Sequence, residues 1–192
     1  MPNAAYPPLY ILRHGETTWN AEGRLQGRHD SPLTDRGRAQ AACQQRILQA
    51  CDLRGFRLIS SPQGRALATA QIALDGVAGT LETDPDLVEV GMGDWAGGYR
   101  QPLLDQTGAE DGFALYDLAP NGEGLPGLRH RCTAFLARMT DPAVLVTHGI
   151  TSRMLRLILT GHSGCDVRKM QGGQGVVYRV VAGEQTCLTE GG

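Results

Sequence analysis

Residues 9–17, Leu-Tyr-Ile-Leu-Arg-His-Gly-Glu-Thr, run four apolar side chains directly into Arg13, His14 and Gly15. Residues 143–151, Ala-Val-Leu-Val-Thr-His-Gly-Ile-Thr, repeat the same grammar far along the chain. A short, continuous apolar run that starts after Pro7-Pro8 and stops at Gly15 suits a buried strand of a parallel sheet. Each run delivers a histidine at its carboxyl end. A single His-Gly dipeptide is as well explained as a turn held by backbone hydrogen bonds. Two of them on matching strands point to one shared rim.

Working outward, strands and helices alternate. Thr34 is a capping residue ahead of good helix formers from Arg38 to Ala50. Leu58 and Ile59 mark a strand, and Ser61-Pro62 reads as an N-cap and first helical residue of a helix running to about Leu74. Thr80 to Asp84 is a further short strand, and Gly91, Gly93, Gly97 and Gly98 signal a loop. Residues 99–124 show no decipherable pattern. A helix from about Leu125 to Met139, the 143–147 strand, a helix from Ile150 to Thr160 closed by Gly161, and a late strand from Gln174 to Val181 restore the rhythm. This order predicts an α/β sandwich with a mostly parallel sheet and a ligand site beyond the carboxyl ends of the strands.

Bulk properties narrow the partners. A chain of 192 residues supports one well-buried core, so a single domain over 1–192 is expected, with a short cap insertion at about 90–126. The net charge of −2 and the scattered basic residues leave no footprint for nucleic acid. Lys169 is the single lysine, so the basic chemistry is that of arginine forks suited to carboxylate or phosphate. The five cysteines, at 43, 51, 132, 165 and 187, are odd in number and form no C-x-x-C pair, which fits a reducing cytoplasm. The segment MPNAAYPPLYIL lacks a basic start and is too short for a membrane span, so it reads as a leader into the first strand. No patch or heptad indicates a homo-oligomer.

The histidines at 14, 29, 130, 148 and 162 form no i,i+4 pair and no Cys/His knuckle, so no metal is expected. G-x-S-x-G and G-x-x-x-x-G-K-[ST] are both absent, which removes the usual serine hydrolase and P-loop readings. What remains is phosphate chemistry performed by histidine. Arg13 beside His14, and Arg65 near the start of a helix, offer two guanidinium forks to one phosphate.

The ordered series Arg13-His14-Gly15-Glu16-Thr17-x-Trp19-Asn20, Gly23-Arg24-x-Gln26-Gly27, Asp30-x-Pro32-Leu33-Thr34-x-x-Gly37, Ser60-Ser61-Pro62-x-x-Arg65, Leu87-x-Glu89, Gly93-x-Trp95-x-Gly97 and Thr147-His148-Gly149 resembles the histidine phosphatase, or phosphoglycerate mutase-like, superfamily. The resemblance implies a three-layer α/β/α sandwich and catalysis without metal or cofactor. It implies that His14 becomes phosphohistidine, that Arg13, Arg65 and a protonated His148 hold the transferring group, and that Asn20, Gln26, Gly27 and Gly149 line the phosphate pocket. One branch of the superfamily places its acid directly after the second histidine, where this chain has Gly149. Glu89 matches the acid of the mutase-like branch, with Glu16 and Asp94 as weaker candidates.

The implied reaction is hydrolysis of a phosphomonoester, with a small-molecule phosphate ester as the partner and no nucleic acid or membrane. Between Val90 and Pro126 the only basic residue is Arg100, whereas Phe113, Leu115, Tyr116 and Leu118 offer an apolar cap. That composition favours water as acceptor and a substrate that is neutral or apolar beyond its phosphate, although Arg24, Arg28 and Arg129 could reach inward. A broad-specificity phosphatase and an α-ribazole phosphate phosphatase both resemble this length and motif set. Phosphoglycerate mutase is the alternative, and a non-catalytic phosphate-binding or scaffold protein is a third reading.

Overall fold

Strand β1 (Leu9–Arg13) is the axis of the molecule, and all four of its apolar side chains are buried. The computed structural model describes residues 6–161 and 166–191; the leader before Tyr6, His162 and Cys165 lie outside them. After β1 come α1 (Thr18–Ala21), α2 (Asp35–Gln49), β2 (Arg57–Ser60), α3 (Gly64–Ala73) and β3 (Leu81–Thr83). They are followed by α4 (Arg100–Thr107), α5 (Ala114–Leu118), α6 (Gly124–Ala137), β4 (Ala143–Thr147), α7 (Gly149–Leu159), β5 (Val177–Val181) and β6 (Glu184–Leu188).

The six strands form one sheet in the order β3-β2-β4-β1-β5-β6. β3, β2, β4 and β1 are parallel, and β5 and β6 complete the sheet as an antiparallel edge. Alternation along the central strands sends Tyr10, Leu12, Val144 and Val146 to one face, where they meet Ile47 and Leu48 of α2 and Ala66, Ala70 and Ala73 of α3. Leu9, Ile11, Ala143 and Leu145 point the other way, against Leu128 and Phe135 of α6 and Met154 and Leu155 of α7. Each such fully buried Leu, Ile or Phe is worth about 1.5–3 kcal/mol relative to exposure, which fixes the three-layer α/β/α sandwich.

Three local expectations need correction. Ser61-Pro62 does not start α3: Gln63 is its N-cap residue and makes no side-chain capping bond. Asp30, from a distant loop, supplies the cap by accepting from the Gly64 N–H at 2.7 Å and the Arg65 N–H at 3.3 Å. Residues 99–124 contain two helices, α4 and α5, which were illegible because α4 has no side-chain cap and no buried residue. The strand β6 was missed because its sequence, Glu-Gln-Thr-Cys-Leu, is a half-exposed edge. Its hairpin turns on Ala182 and Gly183 with positive φ (50° and 82°), and Ala182 carries no turn signature.

One close approach positions the turn after β1. A Cβ on Gly15 would stand 2.2 Å from the Gly37 carbonyl oxygen, and a Cβ on Gly37 would stand 2.0 Å from that of Glu16. Backbone therefore packs on backbone where the first turn of α2, capped by Thr34 through the Gly37 N–H at 3.0 Å, meets the end of β1. Gly37→Ala is predicted to cost at least about 2 kcal/mol by overpacking. Urea unfolding checks this; a variant within 0.5 kcal/mol of wild type, roughly the scatter of a neutral surface change, would show that the turn yields.

Candidate active site

The pairing of β1 with β4 places Arg13 opposite Thr147, so His14 and His148 leave the sheet side by side. The His14 N–H donates to the Thr147 carbonyl at 2.9 Å, and the Ser61 N–H donates to Val146 at 2.9 Å, which brings the end of β2 to the same rim. The two imidazoles meet edge to face with centroids 5.1 Å apart. Both are buried, at 2% and 0% exposure.

His14 Nδ1 lies 2.7 Å from the Gly15 carbonyl oxygen. A carbonyl only accepts, so Nδ1 carries the proton and Nε2 keeps its lone pair. Nε2 accepts from Arg65 Nε at 3.2 Å. The Arg65 guanidinium is fixed further by Nη1 to the His29 carbonyl at 2.6 Å and Asp30 at 2.7 Å, and by Nη2 to the Gly27 carbonyl at 2.9 Å. His148 Nε2 shares a hydrogen bond with Ser61 Oγ at 2.8 Å, while its Nδ1 and the Nε of Arg13 are buried with no partner among the described residues.

Glu89 is held by its neighbours across the pocket. Its Oε1 accepts from the N–H groups of Val90 and Thr151, both at 3.1 Å, and Oε2 accepts from the Ile150 N–H at 3.2 Å. The Thr151 hydroxyl stands 3.0 Å from Oε1. These contacts tie the carboxylate to the first turn of α7. Gly149, at the start of that helix, leaves room for Arg13: a Cβ there would lie 3.3 Å from the Arg13 guanidinium carbon.

A cavity of about 230 Å³ opens over these groups. Arg13, His14, Asn20, Gln26, Gly27, Arg65, Glu89 and Gly149 line it, and His148 lies directly beside His14. Asn20 and Gln26 are partly committed to the loop itself. Asn20 Oδ1 accepts from the Thr17 N–H at 3.3 Å, and Gln26 Nε2 donates to Thr17 Oγ1 at 2.8 Å. Glu16 and Asp94 are not brought in. Glu16 accepts from the Thr34 hydroxyl at 2.9 Å, and Asp94 accepts from Asn121 Nδ2 at 3.0 Å. Among the described residues no group of three or more His, Cys, Asp or Glu stands together as a metal site.

Burial first, then Arg65 and His14, holds the pKa of His148 well below the ordinary imidazole range. Burial and the charges of Arg13 and Arg65 do the same to His14. One expectation is corrected: the far wall is not an apolar cap. Leu115 is buried in the core and Leu118 is 50% exposed, so only Phe113 and Tyr116 of the expected cap face the cavity. Arg24, Arg100 and Arg153 line it too. Arg28 instead lies against Gly91, and Arg129 is exposed on α6. Arg153 was legible in principle, because it follows Gly149 by four residues and shares its helix face.

The backbone of the histidine turn is gripped by amides that carry no motif signal. Gln44 Nε2 donates to the carbonyls of Arg13 at 2.9 Å and Val176 at 3.0 Å, and Gln174 Nε2 donates to the His14 carbonyl at 3.1 Å. The Gly15 N–H donates to Thr69 Oγ1 at 3.0 Å.

Paired histidines, arginine forks and a carboxylate thus meet in one pocket at the carboxyl ends of parallel strands. The family model of the histidine phosphatase superfamily (branch 1) matches residues 9–190, and the chain belongs to that family. It is 33% identical over 199 residues to a protein named "Probable phosphoglycerate mutase GpmB" from Enterobacter sp. (strain 638), covering 95% of this chain and 88% of the relative. It is 37% identical over 164 residues to phosphoglycerate mutase-like protein 4 of Arabidopsis thaliana, covering 78% and 70% respectively. The crystal structure of the alpha-ribazole phosphatase from Shigella flexneri superposes with a TM-score of 0.79 at 27% identity over 95% of both chains.

Burial of two neutral imidazoles makes stability depend on pH with a defined sign. Below about pH 6.5 the unfolded chain binds protons that the native His14 and His148 refuse. Stability therefore falls on acidification from about pH 6.5 toward the depressed native values, by ~1.4 kcal/mol per pH unit for each histidine. His148→Gln is predicted to remove half of that pair's contribution. Urea unfolding at pH 7.0, 6.0 and 5.5 measures it, and an unchanged slope would show that His148 titrates normally.

Proposed function

We propose that the protein hydrolyses small phosphomonoesters in two steps through a phosphohistidine at His14. The observation that carries this reading is the proton placement on His14, with Nδ1–H engaged by Gly15 and the Nε2 lone pair facing the Arg65 guanidinium. In the first step Nε2 attacks phosphorus, the ester P–O bond breaks, and the leaving oxygen takes a proton from Glu89. In the second, Glu89 takes a proton from water, the water oxygen attacks phosphorus, and the P–N bond breaks to release phosphate. Arg13 and Arg65 compensate the charge on the non-bridging oxygens, which is the main demand of phosphoryl transfer. A bound phosphate dianion favours the protonated form of His148, opposing the effect of burial. No metal or cofactor is assigned to the reaction.

Small size of the cavity, about 230 Å³, and the alpha-ribazole phosphatase likeness support a small phosphorylated metabolite as substrate. We treat residues 1–192 as one domain with its cap at about 90–126. The described cysteines, at 43, 51, 132 and 187, are free thiols, which supports a cytoplasmic protein. No helix among the described residues is long and apolar enough to cross a membrane.

A second reading, return of the phosphoryl group to another hydroxyl of the same substrate, is supported by the mutase names of the relatives and by the arginines of the far wall. Product analysis on phosphoglycerates separates the two: inorganic phosphate supports hydrolysis, and isomerised ester supports the mutase. Absence of turnover on a broad panel of phosphate esters would favour a binding protein.

The acid role of Glu89 has its own test. Glu89→Gln is predicted to lower kcat for alkyl phosphates by about 10²–10⁴-fold, as loss of a general acid does. 4-Nitrophenyl phosphate, with a good leaving group, should lose at least tenfold less. Equal losses on both esters would assign the proton to another group.

A further inference from the structure

Glu89 sits on a stretch of chain that belongs to no strand or helix. After a 3₁₀ turn at Pro85–Leu87 the backbone runs irregularly from Val88 to Met92, past the end of β4, where the Thr147 hydroxyl donates to the Leu87 carbonyl at 2.6 Å. Backbone polar groups in such a stretch must find partners outside any ladder. Here the partners are side chains. The Glu89 N–H donates to Gln63 Oε1 at 2.8 Å, and the Thr151 hydroxyl donates to the Val88 carbonyl at 2.8 Å.

Two charged residues grip the chain on either side of Glu89. Arg131 of α6 donates from Nη1 to the Asp86 carbonyl at 2.6 Å and the Val88 carbonyl at 3.0 Å. Glu123, immediately before α6, accepts from the Gly91 N–H at 3.1 Å through Oε2, and its own N–H donates to the Gly91 carbonyl at 3.0 Å. The two side chains close on each other as a fork, with Nε on Oε1 at 2.7 Å and Nη2 on Oε2 at 2.9 Å. Both are largely buried, at 12% and 14% side-chain exposure. Burial works against an ionised Glu123, but Arg131 and the Gly91 N–H outweigh it and hold the carboxyl below the usual carboxylate range. Desolvation offsets much of the attraction in a pair of this kind, so it is a weak source of stability. It does define a position, because every nitrogen of the Arg131 guanidinium is engaged in a fixed planar geometry. Neither residue lines the cavity over His14 among the described residues.

We propose that the Arg131–Glu123 pair is the positioning device for the Glu89 acid, fixing the backbone before and after it so that the carboxyl meets the leaving oxygen. This rests on the assignment of Glu89 as proton donor made above. The pair touches no reacting atom and acts only through residues 86–91. Misplacement of an aligned group by about 1 Å costs up to about 10²-fold in rate. That cost falls on proton donation alone, because His14, Arg13 and Arg65 are held by other elements.

The test measures kcat/KM, which reports formation of the phosphohistidine, for propyl phosphate and for 4-nitrophenyl phosphate. Only the poor leaving group depends strongly on the acid. Arg131→Met is expected to lower kcat/KM for propyl phosphate by at least about tenfold more than for 4-nitrophenyl phosphate. Arg131→Met combined with Glu123→Gln leaves no buried charge unpaired and should show the same split, with folding checked by thermal melting. On a Glu89→Gln background Arg131→Met should move the ratio of the two esters by less than about twofold, since the acid it positions is already gone. A purely structural role lowers both esters alike by reducing the folded fraction. Equal or absent losses on the two esters in both Arg131 variants, or a ratio that falls again on the Glu89→Gln background, overturn the positioning role and leave the acid standing. Equal losses in Glu89→Gln protein itself overturn the acid reading, and the positioning role with it.

Discussion

The parallel register of β1 on β4 is the constraint on which the rest depends. Arg13 opposite Thr147, sealed by the His14 N–H on the Thr147 carbonyl at 2.9 Å, sets both histidines at one height above the sheet. A one-residue slip would send the alternating core of each strand to the wrong face, so hydrophobic burial enforces the alignment of the imidazoles. β2 joins in the same way, since Ser60 pairs with Val146 and Ser61 then reaches His148. Function here is carried by strand ends whose positions the core determines.

Register alone does not orient a side chain. His14 is oriented because its turn is closed on every side: Gly15 against Gly37, Thr69 on the Gly15 N–H, and Gln44 and Gln174 on the carbonyls of Arg13 and His14. Arg65 is oriented by Asp30, which also caps α3, so one carboxylate serves both the helix and the guanidinium. Preorganisation of this kind is what phosphoryl transfer requires, because positioning and charge compensation supply most of the rate.

Much of the fold was legible because its signals are strong. The two buried central strands are continuous apolar runs, and α2 begins beside the cap that Thr34 announces. What escaped has local causes: an uncapped helix over a cap region, a hairpin turned on an alanine, and a helix start capped from a loop more than thirty positions away in sequence. The residues of the pocket floor were legible as motif, whereas its outer wall was not. Arg24, Arg100 and Arg153 come from three separate segments, and reading the cap interval by its own composition counted only Arg100. Glutamines such as Gln44, which act on backbone carbonyls, leave no pattern at all.

The central claim is that His14 Nε2 carries the phosphoryl group between substrate and water. Rapid mixing of the protein with ³²P-labelled ester, followed by alkaline quench and peptide mapping, tests it most directly. An acid-labile, base-stable label on the peptide containing residues 9–20, absent from His14→Ala protein, is the predicted result. Turnover by wild-type protein with no label at His14, or with the label on another residue, would contradict it.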